Sequence, residues 1–142
     1  MKYKQLILMI TFITLLFMVI ACGKADDELN EPKEITIDEL YPGSILNVDK
    51  IELVDGSSGN RKSVDFKKEI ESFLYDIKDI RLQSEKNQEG TVGYIFRIIL
   101  YEKDVVKMDF TPNSIEGIYY ETNEDLYNKI KRIFEKHFER DL

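Results

Sequence analysis

The chain has 142 residues, with 20 basic and 27 acidic side chains, one cysteine and one histidine. This length supports a single folded domain, and the acidic excess argues against nucleic acid as a partner, because its phosphates would be repelled. A lone cysteine cannot form an internal disulfide. Without a second cysteine or histidine a structural zinc site is excluded as well, so we expect no metal and no cofactor.

The first 22 residues have the three parts of a secretory signal. Lys2 and Lys4 form a positive n-region, residues 6–20 are almost entirely apolar, and the small residue Ala21 directly precedes Cys22. The apolar stretch is shorter than the roughly 20 residues that a membrane-spanning helix needs. Because the two lysines stay on the cytoplasmic side, the rest of the chain is expected outside the cell membrane.

The four residues from Val19 to Cys22 read Val-Ile-Ala-Cys and resemble the lipobox of bacterial lipoproteins. The resemblance implies a signal peptide over 1–21, cleavage after Ala21, and a diacylglycerol attached to the thiol of Cys22. Two acyl chains on one residue suffice for stable anchoring. We therefore expect a lipid-anchored protein on the outer, extracytoplasmic face of the cell membrane. An incidental cysteine after an ordinary signal and an uncleaved anchor helix are the alternatives.

The chain after Cys22 begins with a polar, mostly charged segment. Cleavage removes only Lys2 and Lys4, which leaves 18 basic against 27 acidic residues and a net charge of −9. Anionic headgroups would repel such a chain, so the lipid rather than a basic patch is expected to hold it. Residues 23–34 lack apolar periodicity and predict a disordered tether. We assign residues 22–44 to the lipidated N-terminus and tether, with residues 35–40 as a short strand or one helical turn.

A single domain is expected over residues 45–142, and its first half predicts a hairpin and a helix. Residues 48–54 alternate as a strand, residues 55–60 form a glycine-containing turn, and residues 61–64 return. The turn lacks the lysine followed by Ser or Thr of a phosphate loop and the spacing of an EF-hand. A helix capped by Asp65 is predicted to run to about Lys78. Its apolar stripe comprises Phe66, Ile70, Phe73, Leu74 and Ile77.

The second half predicts a meander of strands and a final helix. A short strand over 80–82 and a polar loop over 84–90, expected to be the most mobile segment, precede the strongest strand, residues 93–101. Two further strands, 106–110 and 115–120, follow after turns. The last helix begins at Thr122 or Asn123 as its cap. Its apolar stripe comprises Leu126, Ile130, Ile133, Phe134 and Phe138, and its solvated face carries Lys129, Lys131, Arg132, Lys136 and Arg140.

The element order β-β-α-β-β-β-β-α predicts an α+β fold, with an antiparallel sheet of about five to six strands and two helices against one face. The chain after the lipobox resembles small uncharacterised lipoproteins of Gram-positive bacteria. The resemblance is carried by residues 51–56, the helix over 66–77 and residues 117–120, and it spans roughly residues 45–136. It implies an extracytoplasmic lipoprotein but no particular activity.

No set of residues in the sequence has the pattern of a catalytic site. The one histidine, His137, lies near the end of a helix, and neither Ser57 nor Ser58 has the Gly-x-Ser-x-Gly context of a nucleophile. No pair of carboxylates stands out either. We therefore expect a non-enzymatic domain that binds an envelope protein or peptide. A small envelope enzyme or enzyme inhibitor with a carboxylate and tyrosine site is the alternative.

Tyrosines on the predicted strands are the candidate interaction surface. Aromatic side chains on strands most often pack in the core or against a neighbouring strand. Where they are exposed, tyrosines are enriched at interfaces and can anchor a partner. The tyrosines concerned are Tyr94, Tyr101, Tyr119 and Tyr120.

Overall fold

The structure is a computed structural model that describes residues 34–90 and 93–139. Internal contacts separate Met1–Glu31 from Pro32–Leu142, and all described residues belong to the second unit. The signal peptide expected over 1–21, the lipidation site expected at Cys22 and the tether residues 23–33 lie outside the described residues.

The described chain alternates short strands with helices. The strands are β1 (Glu34–Thr36), β2 (Lys50–Asp55), β3 (Arg61–Val64), β4 (Arg81–Gln83), β5 (Phe96–Glu102), β6 (Val105–Thr111), β7 (Ser114–Ile115) and β8 (Ile118–Tyr119). The helices are α1 (Ile37–Leu40), α2 (Lys67–Ile77) and α3 (Glu124–Phe138), with a 3-10 turn over Ile45–Asn47. Strands β3-β2-β5-β6-β7-β8 form one antiparallel sheet in that order, and β1 pairs with β4 in a second, smaller sheet. The predicted α+β fold is confirmed.

The core lies between the two long helices and one face of the six-stranded sheet. Residues paired directly across antiparallel strands point to the same face. Ile51 pairs with Leu100, and Leu100 with Met108, so these three side chains form one apolar row. The helices contribute the buried residues Ile70, Phe73, Leu74, Ile77, Leu126, Ile130, Ile133 and Phe134. The apolar stripes predicted from helical periodicity therefore meet the sheet, with one exception described below.

The other face of the sheet is polar but has two buried apolar residues, Val54 and Ile99. Ile99 lies between its cross-strand neighbours Glu52 and Asp109. Arg97 donates a bidentate pair to Asp109, with Nε 2.8 Å from Oδ1, and Arg61 pairs with Glu52. Both arginines are direct cross-strand partners of Val54, so their aliphatic stems can cover it while their charged ends reach solvent.

Residues 34–44, which the sequence analysis assigned to the tether, are part of the folded domain. Strand β1 pairs with β4, and Ile37 in α1 is 0% exposed. The two alternatives for residues 35–40 both occur, because the strand ends where the helical turn begins. At that junction Glu39 N donates to Thr36 Oγ1 at 3.2 Å and Thr36 N donates to Glu39 Oε2 at 2.8 Å. This reciprocal capping box satisfies two backbone donors at the helix start.

The two long helices begin differently. Asn123 caps α3 as predicted, because its Oδ1 accepts a hydrogen bond of 3.0 Å from Leu126 N. The prediction of Asp65 as the cap of α2 is wrong: Phe66 occupies the cap position with extended backbone, and no side chain caps the helix. Since the extended residue stands outside the helical repeat, Phe66 does not reach the buried stripe and is 63% exposed.

The single strand predicted over 115–120 is instead a small hairpin. Glu116 and Gly117 have positive φ values of 50° and 81°, and they form the two-residue turn between β7 and β8. Lys103 and Asp104 form the same kind of turn between β5 and β6. Positive φ at both central residues matches the twist of antiparallel strands, which is why these short turns close hairpins.

The polar loop over 84–90 is tied to the edge of the sheet. The Gln88 side-chain amide donates to the Tyr119 carbonyl at 3.0 Å and accepts from Tyr119 N at 2.9 Å. Glu85 N also donates to the Tyr119 carbonyl, and Ser84 forms a bridge with Tyr120. The loop therefore supplies to the exposed backbone of β8 the hydrogen bonds that a neighbouring strand would supply.

Candidate functional site

A pocket of about 520 Å³ opens at the end of the main sheet where β5 begins and β6 ends. Three segments that are distant in sequence form its walls: the approach to β5, the β6–β7 turn, and the start of α3. The lining residues are Gly93, Tyr94, Ile95, Phe96, Thr111, Pro112, Asn113, Thr122 and Tyr127. Most of the exposed lining surface is apolar, which is typical of ligand sites.

The β2–β3 hairpin positions the outer wall of this pocket. Gly56 N donates to the Ile95 carbonyl at 2.9 Å, and a Cβ at Gly56 would lie 1.8 Å from the Tyr94 carbonyl oxygen. Only glycine permits so close an approach of two backbones. The buried carboxylate of Asp55 holds the turn, because it accepts from Ser57 N at 3.0 Å and from the hydroxyl of Ser58. This arrangement is a hairpin, as predicted.

Aromatic rings connect the pocket to the core. The Phe96 ring is buried, with its centroid 5.7 Å from that of Tyr127 and 4.8 Å from that of Phe134. Tilted pairs at such separations are favourable for aromatic rings. At the mouth, Tyr94 is 40% exposed and Ile95 is 55% exposed. The floor is thus packed into the core, whereas the mouth presents apolar surface to solvent.

The polar groups of the pocket are few and uncharged. The Thr111 hydroxyl donates to Asn113 Oδ1 at 3.1 Å, and Tyr120 N donates to the Asn113 carbonyl at 2.9 Å, which fixes the β6–β7 turn. Among the described residues that line the pocket, none is Asp, Glu, His, Lys, Arg or Cys. This composition can bind an apolar group and orient it by hydrogen bonds, but it offers no general acid or base other than tyrosine.

The four tyrosines of the candidate interaction surface do not lie together. Tyr94 is at the pocket mouth, whereas Tyr101 lies near the opposite end of β5, with Lys50 Nζ 4.4 Å from its ring centroid. Tyr119 is on β8 at the edge of the sheet. Tyr120 is 2% exposed, and this burial raises the pKa of its phenol. Of the four, only Tyr94 lines the pocket.

Tyr127 belongs to the pocket but was not singled out from the sequence. It precedes Ile130 and Phe134 by three and seven residues, so it lies on the same side of α3 as these core residues. Its ring packs partly against the core and partly lines the pocket. The helical spacing of Tyr127 could have indicated that it faces the core. That Tyr127 lies beside Tyr94 in the pocket depends on the tertiary fold.

His137 forms an ionic cluster with Glu69 and Lys136. The Glu69 Oε1 atom lies 2.7 Å from His137 Nε2 and 2.8 Å from Lys136 Nζ. Burial alone would raise the pKa of Glu69, but the hydrogen bonds from Lys136 and His137 outweigh it and hold the pKa below its ordinary value. The cluster joins the start of α2 to the end of α3.

Two further properties concern the described ranges 34–90 and 93–139. No group of three or more His, Cys, Asp or Glu side chains in them is arranged to hold a metal ion. None of their helices combines the length and apolar character needed to cross a membrane.

Comparison of the chain with protein families, curated proteins and solved structures finds no match.

Proposed function

We propose that the chain is a lipoprotein anchored through Cys22 to the outer face of the cell membrane, and that its domain is a non-enzymatic binding module. In this proposal the pocket at Tyr94 and Tyr127 binds an apolar segment of an envelope protein or peptide. The observation that carries the binding role is a pocket with aromatic and aliphatic walls and, among its described lining residues, no charged side chain.

The sequence of the first 22 residues supports the anchor. Lys2 and Lys4, the apolar stretch and the lipobox-like Val19-Ile20-Ala21-Cys22 have the order that lipoprotein export requires. Cys22 is the only cysteine, so no disulfide within the chain competes for its thiol.

The size and walls of the pocket support binding. A volume of about 520 Å³ falls within the usual range for ligand sites, roughly 300–1,000 Å³. Aromatic side chains such as Tyr94 and Tyr127 lose little conformational entropy when they contact a partner, and tyrosine is enriched among the residues that dominate binding energy. Pro112 and Ile95 add apolar surface beside them. Peptide-binding domains commonly use aromatic-lined grooves of this kind.

The alternative is an enzyme or inhibitor with a carboxylate and tyrosine site. The structure contains a pair of that type, in which the Tyr41 hydroxyl donates to Glu102 Oε1 at 2.7 Å. Burial and this hydrogen bond raise the pKa of Tyr41 well above its ordinary range. The phenol therefore stays protonated at neutral pH and donates to Glu102 as a structural hydrogen bond. No specific observation favours the alternative.

Replacement of Cys22 tests the anchor. We expect Cys22→Ala to abolish labelling by a fatty-acid probe in cells. Thr14→Ala, which alters the apolar stretch but leaves the lipobox intact, should still be labelled. Persistent labelling of Cys22→Ala would refute lipidation at this residue.

Site-specific crosslinking tests the pocket. A photoreactive side chain at Ile95 should give a discrete adduct on intact cells, whereas the same group at Ile118 should not, because Ile118 is similarly exposed but lies outside the pocket. Tyr94→Ala should weaken the Ile95 adduct. Identical adducts from both positions, or none from Ile95, would argue against a binding role for the pocket.

A further inference from the structure

A second concave surface lies between α2 and α3, away from the Tyr94 pocket. This helix groove has a volume of about 410 Å³. Cations lining it come from both helices, and Phe66 stands beside them at the start of α2 with 63% of its surface exposed. The cations are Lys68, Lys129, Arg132 and Lys136.

The helix groove is locally positive on a domain that is acidic as a whole. Its lining contains four cations but only two carboxylates, Glu69 and Asp76. Glu69 pairs with Lys136 at 2.8 Å, which neutralises one cation. Lys68 and Arg132 form no ion pair within the described ranges, so two cations on facing helices are available to an anion from outside.

The exposed aromatic ring of Phe66 beside these cations indicates which kind of partner the helix groove could bind. A phenylalanine left in water does not gain the free energy that burial of its ring would provide. A surface that presents anions next to an apolar layer would satisfy the cations and the ring together. Amphipathic helices that bind at the headgroup boundary of bilayers combine Lys or Arg with Phe, Trp or Leu for this reason.

We propose that the helix groove docks on anionic phospholipid headgroups, with Lys68 and Arg132 facing the phosphates and Phe66 inserted at the headgroup boundary. The inference takes the nearness of the membrane from the proposed anchor. Twelve residue steps separate Cys22 from Glu34, where β1 begins, and they span at most about 40 Å. A tether of that reach gives a high effective concentration of the surface, so weak docking suffices.

Docking would orient the domain rather than anchor it. The acidic remainder of the domain is repelled from anionic lipid, whereas the helix groove is attracted. Both effects rotate the domain so that the helix groove faces the membrane. This reconciles a net acidic domain with a specific membrane-facing side.

A single introduced tryptophan tests the docking. The chain contains no tryptophan and one cysteine, and the core cluster lies wholly within the domain, so residues 22–142 keep all of it. This chain, coupled through Cys22 to a maleimide lipid, is placed on vesicles with brominated acyl chains. In Phe66→Trp we expect clear quenching on vesicles containing phosphatidylglycerol and little on phosphatidylcholine alone. Added salt should reduce the quenching.

Matched variants control for position and charge. Tyr75→Trp, exposed on α2 but outside the groove lining, should be quenched little on either vesicle. Adding Lys68→Glu and Arg132→Glu to Phe66→Trp should lower the docked-to-free ratio by about tenfold or more. The same reversals at Lys62 and Lys103, exposed residues outside the groove lining, should have a much smaller effect.

Three results would overturn the docking: equal quenching on both vesicles, no quenching of the introduced tryptophan, or quenching that survives the double reversal in the groove. An emission shift with polyglutamate but not with anionic vesicles would assign the groove to an acidic protein segment instead. Because the coupling to Cys22 is chemical, a chain that is not lipidated in cells would still give a valid result here.

Discussion

At the scale of single residues, Glu69 has the most clearly defined electrostatic role. Its carboxylate contacts Lys136 and His137 in the last turn of α3, and its side chain is mostly buried. Charge-assisted hydrogen bonds of this kind are stronger than neutral ones. Partial burial shields them from the solvent screening that weakens most surface ion pairs.

The depressed pKa of Glu69 predicts a pH-dependent contribution to stability. Since its folded-state pKa lies below the ordinary value of about 4.5, the contribution is complete above the unfolded pKa and is lost as the pH falls through the folded pKa. We expect Glu69→Gln to lower the free energy of unfolding by about 1 kcal/mol at neutral pH. Urea unfolding measures this free energy at several pH values. The difference in the free energy of unfolding between Glu69→Gln and the unaltered chain should shrink as the pH falls below about 4.

Glu71→Gln is the matched control on the same helix. Glu71 is more exposed and pairs with Lys67 at 3.6 Å, so its replacement should cost only a few tenths of a kcal/mol, about the value of an i,i+4 pair. A Glu69→Gln effect of the same size at acidic and at neutral pH would contradict the electrostatic explanation and point to packing.

At the scale of elements, hydrophobic periodicity predicted most of the fold. The stripe from Leu126 to Phe134 and the alternation in β5 located α3 and the central strand because both bury a continuous apolar face. Phe66 fits the apolar stripe of α2 in the sequence, but that helix begins one residue later, at Lys67. Periodicity does not report where the backbone changes from extended to helical.

Pairing and turn chemistry were less accessible from the sequence. Strand β4 was expected from residues 80–82, but its partner is β1, more than 40 residues away, and local pattern carries no information about such pairing. The turn at Glu116 and Gly117 was hidden because residues 115–120 alternate well enough to suggest one strand. A glycine inside a strand pattern was the available signal.

The candidate site was only partly predictable for a similar reason. Tyr94 was identified because exposed tyrosines favour interfaces, but its pocket requires three segments that the fold brings together. Tyr101, Tyr119 and Tyr120 were selected on the same ground, as tyrosines on predicted strands, but they lie outside the pocket. Residue type indicated which side chains could contact a partner. Which of them lie together in one pocket depends on long-range packing.

At the scale of the whole molecule, the folded domain begins earlier than charge and composition suggested. Residues 34–44 include three acidic side chains but also two core residues, Ile37 and Tyr41. Asp38 N also donates to the Lys78 carbonyl at 3.0 Å, which joins α1 to the end of α2. The N-terminal segment of the described chain is therefore held by the core itself.

This integration predicts a large cost for truncating Ile37. Deleting a fully buried aliphatic side chain removes its transfer energy and leaves a cavity, so Ile37→Ala should lower the free energy of unfolding by about 2–5 kcal/mol. Ile118→Ala, on an exposed isoleucine of β8, should cost less than about 1 kcal/mol. Denaturant unfolding of both variants in the 22–142 chain measures the difference. If Ile37→Ala matched Ile118→Ala, residues 34–44 would be detached from the domain in solution. The expected larger loss would show that this N-terminal segment is held by the core.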